Sequence, residues 1–124
     1  RRVRGERDLG QHPVAILADG APAGFFVLHG GVSAGRFVRP RGELLLRAFF
    51  VDARWQRRGV GSRALARLPA FVAALDPAVR RVVLTVNVEN DHAIHVYRRS
   101  GFADTGERYQ RPGGGPQHVM ELRL

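Results

Sequence analysis

A chain of 124 residues, 44% of them apolar, has room for one packed domain with its own core and not for two. The absence of cysteine excludes disulfides, thiolate metal sites and a cysteine nucleophile together, and no apolar run approaches the ~20 residues that span a bilayer. The net charge of +9 rests on arginine alone, because lysine is absent; such uniformity reads as codon usage, and the basic surface favours anionic partners, a nucleic acid or a phosphate-bearing cofactor among them.

The first residue is Arg rather than Met, so the sequence reads as a fragment or as a chain that has lost its start. No signal-peptide pattern opens it, and a cytoplasmic location is expected. Residues 1–11 are charged and aperiodic and read as a mobile or truncated start. Residues 12–18 and 23–29 are β-prone, and Asp19-Gly20 between them is a turn signal, so the two runs predict an antiparallel hairpin. Residues 30–42, rich in Gly and Arg, predict a loop. Residues 43–51 alternate with apolar side chains on both faces, as a central strand does.

Next comes Gln56-Arg57-Arg58-Gly59-Val60-Gly61 and then a helical pattern over residues 62–75, with Leu65, Leu68, Phe71, Val72 and Leu75 on one stripe. Pro69 cannot donate to the Leu65 carbonyl, so a kink or break is expected there. Residues 81–86 are β-branched and predict a strand parallel to 43–51, joined to it through the helix. Asn90 suits a helix N-cap, Arg98 and Arg99 its last turn, and Gly101 the left-handed position beyond it. Phe102 begins another strand, residues 111–116 form a hairpin loop, and strict alternation over 118–124 predicts the closing strand.

A strand feeding a glycine-rich turn that opens a helix is suited to phosphate: the first helical N–H groups lack partners, and Gly59 and Gly61 put no Cβ in the way. No Gly-Lys-Ser/Thr follows, so it is not a P-loop, and the third glycine of the dinucleotide fingerprint is missing.

The run from Gln56 to Gly61 resembles the acetyl-CoA signature of the Gcn5-related N-acetyltransferases (the GNAT family). Asn90-x-x-Ala93-x-x-x-Tyr97-x-x-x-Gly101-Phe102 resembles the family's second signature. The resemblance covers residues 43–124, and the earlier hairpin fits two further family strands. It implies an α/β fold with a mixed, mostly antiparallel central sheet, one parallel strand pair splayed to hold acetyl-CoA, and helices on both faces. It also implies that residues 1–124 are a single acetyltransferase domain, lacking or truncated in the family's N-terminal helical part.

By the same resemblance, backbone groups of Phe49, Phe50 and Val51 pair with pantetheine, and the turn from Gln56 through Arg57, Arg58, Gly59, Val60, Gly61 and Ser62 holds the pyrophosphate. Asn90 contacts the cofactor, and the Tyr97 hydroxyl lies near the thioester sulfur as the catalytic residue. The residue types agree with that chemistry. A neutral amine attacks the thioester carbonyl, a backbone N–H stabilises the oxyanion, and a tyrosine of ordinary pKa ~10 can protonate the departing thiolate. Tyr97 also fits a packed aromatic beside Ala93 and Ile94, and Asn90 a cap without a ligand.

A general base is harder to find. Thr85 and Arg47 stand where family members carry glutamate, which leaves Glu43, Glu89 or a water ordered by Asn87; Glu43 and Glu89 also fit plain solvated carboxylates. His92 and His95 are half of a zinc site without further ligands, so no metal is expected.

The function implied is transfer of an acetyl group from acetyl-CoA to a primary amine of a small molecule. Thr105-Gly106-Glu107 and Gly115-Pro116-Gln117-x-Val119-Met120 lean toward polyamine-type members. The alternatives are a peptide or protein N-terminal or lysine acetyltransferase, a CoA-binding protein without turnover, and a basic nucleic-acid-binding module. The last lacks both a run of four basic residues and an aromatic–basic helix face. A membrane partner is not expected, and a homodimer is left open.

Overall fold

The computed structural model describes residues 10–124. Asp19 and Gly20 both adopt positive φ, 52° and 78°. This pair of left-handed residues matches the twist of a two-residue hairpin, and it joins β1 (Gln11–Ala18) to β2 (Ala21–His29). The remaining strands are β3 (Glu43–Val51), β4 (Arg81–Asn87), β5 (Ala103–Gln110) and β6 (Pro116–Arg123). The helices are α1 (Val60–Ala66), α2 (Leu68–Leu75) and α3 (Asp91–Arg99), with short 3-10 turns at Val32–Ala34 and Ala53–Trp55.

Several boundaries differ from the sequence pattern. The expected mobile or truncated start falls on residues 1–9, outside the described residues, whereas Gln11 already belongs to β1. The helix expected over 62–75 starts at Val60 and divides at Arg67, which sits at φ −90° and ψ −7°. Pro69 is the cause: it lacks an N–H for Leu65, and the chain accommodates it in the first turn of a new helix, where no such donor is needed. The closing strand begins at Pro116 rather than 118, because Gln110 pairs with Pro116 across the hairpin.

The sheet is mixed, in the order β1-β2-β3-β4-β6-β5, with β3 and β4 parallel and every other neighbour antiparallel. β6 enters between β4 and β5, so the chain's later hairpin is laid down from the outside in. Leu44, Leu46, Val82, Leu84, Met120 and Leu122 share one face by alternation. Leu65, Leu68 and Val72 of α1 and α2 and Ile94 and Tyr97 of α3 pack on that face. Leu45, Val83 and Val119 point the other way and meet Ala34, Phe37 and Val38 of the connection between β2 and β3. Helices were expected on both faces. Among the described residues all three lie on one face, and a loop covers part of the second.

That loop is fastened by Arg81. Its guanidinium pairs with Glu43 of β3 at 2.9 Å and with Glu121 of β6, and reaches the Phe37 carbonyl at 3.4 Å. Glu43 also accepts from the Arg39 N–H at 2.9 Å. These side chains are only 14–18% exposed, so the charges are mostly desolvated and depend on one another.

Arg81→Met leaves two carboxylates facing each other and should lower stability by about 3 kcal/mol, read as the urea midpoint at neutral pH. Adding Glu43→Gln and Glu121→Gln should restore most of the loss. The hydrogen bond from Arg81 holds the Glu121 carboxyl below its ordinary range. Its contribution is therefore present above the unfolded carboxylate pKa and disappears as pH falls through the lower folded value, so the Arg81→Met deficit should shrink in acid. An unchanged midpoint for Arg81→Met would mean that the triad holds nothing together.

Candidate active site

β3 and β4 pair in parallel from Glu43/Arg81 to Leu45/Val83, and there the ladder stops. β3 then bends. Its register with β2 shifts between Phe25 and Val27, and Ala48 takes φ 56°, a left-handed conformation that costs an ordinary L-residue about 1–3 kcal/mol. The extra residue turns Phe49 toward the helices, against Phe26 and Tyr97, and Phe50 toward the other face, against Phe25. Beyond the bulge Gly24 pairs with Val51. A Cβ there would lie 2.1 Å from the Phe50 carbonyl oxygen, so the two backbones approach this closely only because position 24 is glycine.

From Val51 the chain enters a tight turn. Asp52 accepts from the Arg54 N–H at 3.0 Å, and the Gln56 side chain donates to the Val51 carbonyl at 2.8 Å. Arg57 and Gly59 both adopt positive φ, 64° and 76°, and the first helical bond of α1 runs from the Arg63 N–H to the Gly59 carbonyl. The N–H groups of Arg57 through Ser62 meet no acceptor among the described residues. Successive N–H groups in a turn of this kind form a concave site for an anion.

Facing that turn is α3. Asn90 caps it, accepting from the Ala93 N–H at 3.2 Å. Tyr97 lies half-buried between Phe49 and Phe102, with ring centroids at 6.3 and 5.8 Å. Burial pushes its phenol up from the usual value near 10, so it stays protonated throughout the neutral range. Its hydroxyl has no hydrogen-bond partner among the described residues.

A cavity of about 770 Å³ lies between the end of β3, the turn and α3. It brings together Phe49, Phe50, Val51, Gln56, Arg57, Gly59, Val60, Gly61, Ser62, Asn90 and Tyr97, every residue expected at the cofactor except Arg58. The Arg58 guanidinium lies over the Trp55 ring, 5.4 Å from its centroid, and borders the neighbouring groove beside β1. The base candidates fare worse. Glu43 is neither at the cleft nor freely solvated, being held in the Arg81 triad. Glu89 is exposed in the turn before α3, and Asn87 is occupied by the Glu89 N–H at 2.8 Å. Among the described residues no carboxylate lines the cleft.

Trp55, His92, His95 and Arg99 also line it and were not singled out for it from sequence. The signal was there: His92, His95 and Arg99 recur at helical spacing, one stripe over from Asn90, Ala93 and Tyr97. Together with Arg57 they give the cleft a basic wall. Among the described residues no group of three or more His, Asp or Glu could hold a metal ion.

The family model described as "Acetyltransferase (GNAT) family" matches residues 3–102. The chain is 36% identical over 105 residues to the uncharacterized N-acetyltransferase YbbJ of Bacillus subtilis, covering 84% of this chain and 66% of that protein. It is 33% identical over 95 residues to the spermine/spermidine N(1)-acetyltransferase of Bacillus subtilis, covering 77% of this chain and 61% of that protein. The chain thus spans a little under two thirds of both relatives. Among solved structures, an aminoglycoside acetyltransferase, AAC(6')-Ib, in complex with coenzyme A and kanamycin superposes with a TM-score of 0.76 at 20% identity, over 94% of this chain and 68% of that one. An acetyltransferase of the GNAT family from Streptococcus pneumoniae gives 0.72 at 22% identity, over 93% and 67%. At those identities the likeness is one of fold.

The chain has two tyrosines, so Tyr109→Phe leaves Tyr97 as the sole phenol. Its ultraviolet titration should then show a midpoint above 10, because the buried environment penalises the phenolate. A midpoint at 10 or below would contradict the desolvation seen at this position.

Proposed function

The chain belongs to the acetyltransferase (GNAT) family, and from that premise we propose that it moves an acetyl group from acetyl-CoA to the primary amine of a small molecule by direct attack. The observation that carries this reading is the row of N–H groups from Arg57 to Ser62, without protein acceptors, facing a cleft that runs to the Tyr97 hydroxyl. A diphosphate suits the first and a thioester the second. Gly61 supports the fit: a Cβ there would touch Phe49 and Val51 at 3.6 Å, ordinary contact for the protein, while filling space a ligand needs. The relatives named as N-acetyltransferases, one of them for spermine and spermidine, support an amine as acceptor.

In this reading acetyl-CoA supplies the acyl group as an activated thioester. Arg57 and Arg99 add positive charge beside the N–H row. A β3 N–H beyond the bulge, left without a β4 partner by the splay, donates to the oxyanion that forms as the amine attacks. Tyr97 donates its proton to sulfur as the C–S bond breaks; the rings of Phe49 and Phe102 keep it in place, and its raised pKa keeps it protonated. With no carboxylate on the cleft wall among the described residues, the amine enters neutral and releases its proton to water after attack. Asn90 serves as cap and as cleft wall, and Gln56 braces Val51 at the rim. No helix among the described residues is long and apolar enough to cross a membrane, and a cytoplasmic site of action is part of the proposal.

Two measurements test it. Gly61→Ala should keep the wild-type melting temperature yet weaken acetyl-CoA by about tenfold or more in calorimetry. Gly61→Asp should abolish binding by setting a carboxylate against the phosphates, and equal affinities in all three proteins would remove the phosphate assignment. Tyr97→Phe should keep cofactor affinity and lose about 10²-fold in kcat with little change in the KM for acetyl-CoA, the pattern of a group acting in the transition state. Turnover within about threefold of wild type would leave thiolate protonation to water.

A further inference from the structure

The residues on the face of the sheet away from the helices bear on the acceptor. Phe25 and Phe50 are direct partners across β2 and β3, with ring centroids 5.8 Å apart. Both remain about half exposed, at 45% and 48%. Half-exposed phenyl rings side by side make an apolar platform, and Phe50 also lines the acetyl-CoA cleft, so the platform continues from the cleft to the open face. The bulge at Ala48 makes this continuity by shifting the alternation, so that Phe50 rather than Phe49 joins Phe25 and Arg47 on this face.

Next along the same face is Arg47, partner of Val27. Its guanidinium lies 3.4 Å from His29 Nδ1 and 3.5 Å from Gln11 Oε1, and no carboxylate pairs with it among the described residues. The carboxylates nearby are committed elsewhere: Glu43 and Glu121 to Arg81, and Asp52 to Arg54. Among the described residues, a second ammonium on an acceptor would find no uncommitted carboxylate beside Arg47 and would meet its positive charge.

We propose that this face seats the amine acceptor, and that Phe25, Phe50 and Arg47 select an α-amino acid with a bulky apolar side chain over a polyamine. The inference rests on the acetyl-transfer reading above. The side chain lies on the two phenyl rings, the carboxylate pairs with Arg47, and the α-amine reaches the gap between β3 and β4. Phe25 and Val27, the strand partners of Phe50 and Arg47, are two residues apart, ~7 Å along β2, which matches the length of such an amino acid from carboxylate to ring. The bonds balance: the N–C bond forms as the C–S bond breaks, the Tyr97 proton passes to the thiolate, and the amine proton passes to water, which returns one to the Tyr97 phenolate.

The test is thiol release from acetyl-CoA with L-phenylalanine, L-phenylalaninamide and spermidine, beside acetyl-CoA calorimetry on each protein. Wild type should prefer L-phenylalanine to spermidine by about tenfold or more in kcat/KM, and to the amide by about tenfold. Arg47→Gln should erase the preference for acid over amide without changing acetyl-CoA affinity or the melting temperature. Phe25→Ala should raise the KM for L-phenylalanine about tenfold with kcat unchanged. Preference for spermidine, retention of the acid-over-amide ratio in Arg47→Gln, or acetyl-CoA binding with no turnover of L-phenylalanine would overturn the acceptor assignment and leave the cofactor assignment standing. Failure of wild type to bind acetyl-CoA would take both down.

Discussion

β3 and β4 run parallel for three residue pairs and then part, and both sides enforce the parting. On one side Ala48 holds a left-handed backbone that no ladder partner requires, and the bend it makes carries the end of β3 away from β4. On the other, Gly24 lets the β2 backbone press against the Phe50 carbonyl, so β3 follows β2 around the bend. A side chain at position 24 would push the two apart and relax the curve. The backbone groups that the splay leaves without partners are costly in a closed sheet and useful beside a ligand that can pair with them.

The two ends of this strand pair are held by different physics. At the closed end Arg81 bridges Glu43 and Glu121 and ties three neighbouring strands together through charge. At the open end the contacts are aromatic: Phe26 meets Phe49 at a tilt, and Phe49, Tyr97 and Phe102 then follow one another edge to face, linking β2, β3 and α3 across the gap. A charged bridge there would compete for a phosphate-bearing ligand, whereas rings define the walls without offering a rival hydrogen bond. The burial that packs Tyr97 also raises its pKa, so its packing and its protonated state at neutral pH are one property of that residue rather than two.

Much of this was legible in the sequence where local chemistry decides structure. Asp19-Gly20 marked the hairpin, Asn90 and Gly101 bounded α3, and the glycine turn marked the start of α1. The turn and α3 were expected at one cofactor by resemblance, and the fold brings their side chains to one cavity. What escaped was set by tertiary context. Nothing in an alanine announces a positive φ, so the Ala48 bulge was invisible, and with it which of Phe49 and Phe50 would face the helices. Glu43 passed for a solvated carboxylate because its partners Arg81 and Arg39 reach it from other elements. Arg58 sits in sequence among the residues expected at the cofactor, yet stacks on Trp55 because a guanidinium gains more over an indole face than in water.

The placement of β6 between β4 and β5 also governs the order in which the protein can be made. As the chain leaves the ribosome, β1, β2 and β3 can pair one after another, each with its predecessor, and each closes only a short loop. β4 then docks on β3 through its brief parallel ladder, and its other edge stays bare while α3 and β5 emerge. β5 does not cover that edge, because among the described residues it pairs only with β6. For that interval the nascent protein displays Val82, Leu84 and Val86 on an open strand, the kind of edge that recruits other chains. Completion of the sheet and protection from aggregation therefore arrive together, in one late step, when β6 slides in and pairs on both sides.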